Sequence, residues 1–182
     1  YYVQLAPYSY SQRRDRYPIT WDKLPEFWTI QQNLMDIPYC GMAPILDLVD
    51  VPGDIHPPYK HIVGYRLALW ALQNDYGKEY LEASGPVLDF ARIEADEIVL
   101  EFSHADGLRS SDGKPLSWFQ TLNSRGNYAR ATAVIKGNQV RIPIQKGVEV
   151  QEVRFAWDEL AMPNLVNSAG LPALPFRISI TK

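Results

Sequence analysis

The tract "GDIHPP", residues 53–58, sets a carboxylate, Asp54, two positions before an imidazole, His56, and follows it with two prolines. An imidazole beside a carboxylate is how many hydrolases hold a general base: the acid orients the ring and stabilises the imidazolium that forms transiently. The chain has only 3 histidines. Pro57 disfavours the α conformation at His56 and keeps it extended. In a straight extended segment, positions i and i+2 point the same way but stand about 7 Å apart. A direct contact therefore requires a bend, for which Gly53 and the prolines offer the means; without one, Asp50 is the alternative partner. The competing reading makes His56 an ordinary loop residue and Asp47, Asp50 and Asp54 a solvated turn.

The remaining candidates carry less chemistry. His61 falls one turn into a helix and reads as a surface residue, and His104 starts a turn after a strand. Neither HExxH nor a Cys/His spacing is present, so His56, His61 and the aspartates form no recognisable metal set, and no metal or organic cofactor is expected. The single cysteine, Cys40, excludes an internal disulfide and reads as a small packed thiol. Ser9 and Ser11 in "YSYS" lack the surroundings of a nucleophile.

The elements that would position His56 alternate strand and helix. "YYVQLAP" reads as a strand ended by Pro7, and a helix is expected from about Asp22 to Leu34, with Phe27, Trp28, Ile30 and Leu34. "GMAPILDLVD" is expected to be a second strand, its run of Ile45, Leu46, Leu48 and Val49 buried on both faces as in a parallel sheet. Pro58 suits the first turn of a further helix. Val63, Leu67 and Trp70, with Ile62, Leu69 and Tyr76, give that helix one apolar face, capped by Gly77. His56 would then sit just past the carboxyl end of a strand, where open α/β sheets collect functional groups.

From Gly85 the period falls to two. "EIVLEF", "VRFAW" and "FRISI" read as strands, and Gly137-Asn138 as a short hairpin turn. This half is expected to be a β-sandwich. The division is thus an α/β part over residues 1–78 and an all-β part over 79–182. Trp70, Phe155 and Trp157 are expected in the core, whereas Trp118 and Phe119, beside a Gly/Ser-rich loop, are the better candidates for exposure.

Composition limits the partners. The net charge is −3, and the only basic cluster, Arg13, Arg14 and Arg16, is interrupted by Asp15 in a polar stretch that reads as a solvated loop, so no nucleic-acid partner is expected. No apolar run approaches the roughly 18 residues of a membrane span. The chain opens directly in strand-like sequence, which raises the expectation that it is the C-terminal part of something longer.

"VQLAPY" at 3–8, "GM" at 41–42, the apolar run with Asp47 and Asp50, "DIHP" at 54–57, "GYRLALWAL" at 64–72, "NL" at 164–165 and "GLPALPFR" at 170–177 occur in one order along nearly the whole chain. Together they resemble the C-terminal portion of sialate O-acetylesterase-like proteins of the SGNH (GDSL-like) hydrolase superfamily. The resemblance implies the end of an SGNH-type parallel-sheet domain followed by an accessory β-sandwich. It makes His56 the catalytic base and Asp54 its partner, acting on an O-acetylated carbohydrate. The family's serine, with its oxyanion-hole glycine and asparagine, would lie on an N-terminal polypeptide preceding Tyr1. Here the acid stands two residues before the histidine, where the commoner superfamily spacing is three. Export to the periplasm, the cell exterior or the lysosome is implied as well. The alternative is a carbohydrate-binding or structural β-sandwich module attached to an inactive hydrolase remnant.

Overall fold

Buried apolar segments in the first 84 residues pack around two helices and a short parallel sheet, while the later strands form antiparallel sheets. The structure, a computed structural model, describes residues 1–13, 18–51 and 53–180; Arg14 and Arg16 of the expected solvated loop lie outside them. Two compact units result, one of residues 1–84 with 158–162, the other of 85–157 with 163–182.

In the first unit, strand β1 (Tyr2–Val3) pairs in parallel with β2 (Met42–Ala43). Tyr2 N–H donates to the Gly41 carbonyl and Gln4 N–H to that of Ala43, both at 3.0 Å. Among the described residues β1 has no strand on its other edge. A side chain closes it instead: Gln31 Oε1 accepts from Leu5 N–H at 2.8 Å, and Gln31 Nε2 donates to the Val3 carbonyl at 3.2 Å. Gln31 belongs to helix α1 (Lys23–Asn33), whose fully buried Trp28 donates its indole N–H to the Leu5 carbonyl at 2.7 Å.

The strand expected through Ile45–Val49 is absent. Pro44 brings no N–H to a ladder, the Ile45 N–H is taken by Gln4 Oε1 at 3.1 Å, and Leu48 N–H turns back to the Ile45 carbonyl at 3.1 Å. These apolar residues are nevertheless the core, Ile45, Leu48 and Val49 clustering with Ala6 against Val3, Ile62 and Val63. The apolar run reported burial; the backbone inside it is a turn.

Helix α2 spans Lys60–Asn74 and so starts two residues after Pro58, outside which the proline lies. Tyr76, expected on its apolar face, is 72% exposed because the helix has already ended. Gly77, at φ 65°, turns the chain away, and Lys78 N–H donates to the Leu72 carbonyl at 2.9 Å. Trp70 lies flat on Gly41, where any Cβ would fall 2.3 Å from the indole, and its N–H donates to the Met42 carbonyl at 3.0 Å. The "GM" pair and the tryptophan are thus one contact.

In the second unit, β3 (Val87–Glu94), β4 (Glu97–Ser103), β8 (Val134–Lys136) and β9 (Gln139–Pro143) form one antiparallel sheet in the order β3-β4-β9-β8. A second sheet joins β12 (Phe176–Ser179), β10 (Val150–Phe155), β6 (Phe119–Asn123) and β7 (Tyr128–Arg130) in that order. A small pair links β5 (Arg109–Ser110) with β11 (Leu165–Val166). Phe176 of one large sheet meets Phe102 of the other at 5.9 Å between ring centroids, and Phe119 and Phe155 complete the cluster. Phe119, one of the two candidates for exposure, is 1% exposed for this reason.

The C-terminal stretch that the sequence marked is a set of locks. Asn164 donates to Ser110 Oγ, Asp112 Oδ1 and the Pro115 carbonyl, and accepts from Ser117 N–H and its hydroxyl, at 2.9–3.2 Å. The Pro172 carbonyl lies where a Cβ on Gly85 would come within 1.9 Å, so no side chain fits there. The Asn164 amide, with Ser110 and the Lys114 N–H, pulls the Asp112 carboxyl down from 3.8 to about 2. A depressed carboxyl stabilises the fold above its ordinary range, and that stabilisation is lost as pH falls through the folded value, here toward pH 2. Asn164→Ala is expected to raise the Asp112 midpoint toward 3.8, read by NMR titration of the side-chain carboxyl; a midpoint still near 2 would remove Asn164 as the cause.

Candidate active site

The loop from Pro44 to Tyr59 collects the aspartates and His56, and three partners sort them. Arg66 of α2 is buried, 5% of its side chain exposed. Its Nη1 donates to the Pro44 carbonyl at 2.5 Å and to Asp47 Oδ1 at 2.7 Å, and its Nη2 to Asp47 Oδ2 at 2.6 Å. The two-pronged geometry suits a planar guanidinium on a carboxylate. Asp47 does lie in an exposed turn, as read, and is in addition the counter-ion of the buried Arg66. Asp50 receives the hydroxyl of Tyr59, the residue before α2, and this bond to a carboxylate holds the Tyr59 hydroxyl above the ordinary tyrosine range.

Asp54 meets His56 directly. The chain bends at Ile55 and His56, Asp54 N–H donates to the Val51 carbonyl at 2.8 Å, and Asp54 Oδ1 accepts the His56 backbone N–H at 2.9 Å. A side-chain oxygen bonded to the N–H two residues on is an Asx turn. The same Oδ1 stands 3.2 Å from His56 Nδ1. A carboxylate can only accept, so Nδ1 carries the proton in this contact, and in the neutral ring Nε2 is then the basic nitrogen. The His56 backbone N–H is the main cause that holds the Asp54 carboxyl below its usual range; the imidazole and Lys60 act in the same direction, against partial desolvation.

The pair is open to solvent, with 83% of the His56 side chain and 61% of that of Asp54 exposed. It borders a hollow of about 140 Å³ lined by Val49, Asp50, Val51, Asp54, His56, Pro57 and Pro58. That lining holds no serine, threonine or cysteine among the described residues. Ser11 lies elsewhere in the unit, where its N–H and hydroxyl both bond to the buried carboxylate of Glu159. No group of three or more His, Cys, Asp and Glu side chains suited to a metal occurs among the described residues. No helix there is long and apolar enough to cross a membrane.

Beside the pair lies a larger, mostly apolar cavity of about 620 Å³, its wall including Ile55 and Pro57 on either side of His56. The sequence reading missed two of the residues that organise this region. Arg66 was hidden in an apolar helix pattern, although a lone arginine on such a face signals a buried partner. Gln31 lies on the same side of α1 as Leu24, Phe27 and Trp28, and its carboxamide among those apolar residues was the signal passed over.

Outside this loop, Trp118 is 37% exposed and holds φ 65°, a left-handed value uncommon for a bulky residue. Its carbonyl accepts from Ala156 N–H at 3.1 Å, and the preceding Ser117 is held by Asn164.

The fold is similar to part of a carbohydrate acetylesterase. That protein is XAC1771 from Xanthomonas citri, matched at 30% sequence identity and a TM-score of 0.84 over 97% of this chain and 40% of that one. No protein-family model matches the chain, and no curated protein does.

Loss of the Asp47 carboxylate leaves the Arg66 guanidinium buried without its charge partner. Asp47→Ala is expected to destabilise the first unit by about 3 kcal/mol, seen as a lower urea midpoint in the fluorescence of the α2 tryptophan. An unchanged midpoint would show that the Pro44 carbonyl alone satisfies the guanidinium.

Proposed function

We propose that the chain is the histidine-bearing part of a carbohydrate O-acetylesterase. The observation that carries this reading is the 3.2 Å contact between His56 Nδ1 and Asp54 Oδ1, which fixes the tautomer a general base needs. The similarity to XAC1771, a carbohydrate acetylesterase, supports it. The finer assignment is a sialate O-acetylesterase-like protein, with an SGNH-type hydrolase domain over residues 1–78 and a β-sandwich over 79–182. The protein is exported.

The nucleophile is a serine on an N-terminal polypeptide outside this chain. His56 Nε2 takes the serine proton as its oxygen attacks the acetyl carbonyl. Asp54 stabilises the resulting imidazolium. The tetrahedral intermediate then collapses, the sugar oxygen leaves with the proton returned by His56, and an acetyl-serine remains. A water molecule, deprotonated by His56, attacks that ester in turn, releasing acetate and regenerating serine. This chain supplies the proton traffic alone, without a metal or organic cofactor.

A second reading, carbohydrate binding by the β half, is favoured by Trp118, an exposed indole kept at a strained backbone angle. Sugar binding with wild-type affinity by Trp118→Ala would exclude that residue from it.

The esterase reading is tested in the complete protein by acetate release from an acetylated sugar. His56→Ala is expected to lose about 10²–10⁴-fold in rate, the range for a positioned general base, and Asp54→Asn to lose less. Near-normal turnover by His56→Ala would end the assignment.

A further inference from the structure

Alternation along the strands gives the sheet β12-β10-β6-β7 two faces. Phe119, Val153, Phe155 and Phe176 take the core side. On the other side the cross-strand partners form a row of Arg130, Gln120, Arg154 and Arg177, one from each strand. Arg154 and Arg177 are direct partners, and like charges directly opposite one another destabilise a sheet. The next row brings one carboxylate, Glu152. Its Oε2 accepts from Arg177 Nε at 2.8 Å, and its Oε1 accepts the Tyr128 hydroxyl. Arg154 donates Nε to Gln120 Oε1 at 2.8 Å and lies over the Tyr128 ring, 3.4 Å from its centroid. Glu152 and Arg154 are each 7% exposed, whereas Arg130 is exposed, as is 44% of the Arg177 side chain. Three guanidinium groups thus share one carboxylate, on a chain whose net charge is −3. Packing gives no reason to collect cations on this face; an anionic ligand does.

We propose that this face binds an acidic polysaccharide, a glycan whose sugar carboxylates recur along its length. Arg130 and Arg177, the two exposed members of the row, stand three strand spacings apart, about 14 Å, and meet successive carboxylates. Charge-assisted bonds from guanidinium to carboxylate are the strong kind. Arg154, fixed between Gln120 and Tyr128, adds positive charge beneath them, and Glu152 is the strut that aims Arg177. Trp118, the exposed indole at φ 65°, comes two residues before Gln120 and brings an aromatic surface to the entry of β6. Charge complementarity selects a glycan over a nucleic acid: a phosphate at every nucleotide suits a strongly basic surface, whereas here a few arginines stand on a negatively charged chain. The proposal rests on the second reading above, carbohydrate binding by the β half, and is independent of the esterase reading.

The test is isothermal titration calorimetry of the complete protein with an oligogalacturonate and with the same oligomer methyl-esterified at its carboxyls. The acid is expected to bind, and the ester to bind about tenfold more weakly or less. Arg130→Gln and Arg177→Gln are each expected to weaken binding of the acid by about tenfold and to leave the ester unchanged. Arg177→Gln also frees Glu152, whereas Arg130→Gln breaks no ion pair among the described residues and so separates binding from folding. Equal binding of the two oligomers, or wild-type affinity for the acid in Arg130→Gln, would overturn the arginine face and leave carbohydrate binding standing. Binding of neither oligomer overturns both. A single-stranded oligonucleotide bound more tightly than the oligogalacturonate would overturn the glycan as the occupant.

Discussion

One buried guanidinium holds the histidine loop to its helix. Arg66 spans from α2 to the Pro44 carbonyl and both oxygens of Asp47, and so fixes the start of the loop that ends in Asp54 and His56. Removing a guanidinium from water is favourable only when its donors are met by acceptors in good geometry. The loop provides them from the backbone and from one side chain. Trp70, one turn further along α2, presses on Gly41 and bonds the Met42 carbonyl, so the same helix face also fixes the strand leading into the loop. Helix, strand and loop are thereby held as one piece.

Within that piece the three aspartates have separate tasks. Asp47 balances Arg66, Asp50 holds Tyr59, and Asp54 bonds the ring and backbone of His56. The last contact is local in sequence, an Asx turn that depends on no distant partner, which is why it persists at an exposed position. Exposed ion pairs contribute little in water. The same contact strengthens when a covering surface lowers the dielectric around it, so the value of this pair depends on what lies over it.

The sequence disclosed chemistry more readily than geometry. Asp54 and His56 were legible because their types and spacing are unusual, and the bend they require was stated as a condition that the Asx turn then meets. The helices were legible from periodicity to within one or two residues. Ile45–Val49 was misread because an apolar run signals burial, while the turn inside it depends on Gln4, 41 residues away from Ile45 along the chain. Asp47 was rightly placed in an exposed turn, but its partner went unread because it is 19 residues distant. Phe119 looked exposed from its polar neighbours, yet a strand buries alternate residues whatever surrounds them. Long-range pairing decided the cases of Ile45–Val49 and Asp47, and no window of local pattern contains it.

The Gln31 carboxamide on the outer edge of β1 has a further consequence. A carboxamide presents the same donor and acceptor as a peptide group, so here one side chain mimics a single unit of a neighbouring strand. Such a plug keeps the exposed rim from recruiting foreign chains, the usual hazard of an open edge. It is also easily withdrawn. An arriving backbone could replace its two hydrogen bonds one for one, and the displaced glutamine would recover its rotamer freedom. The edge is closed by one side chain where a neighbouring strand would use its backbone.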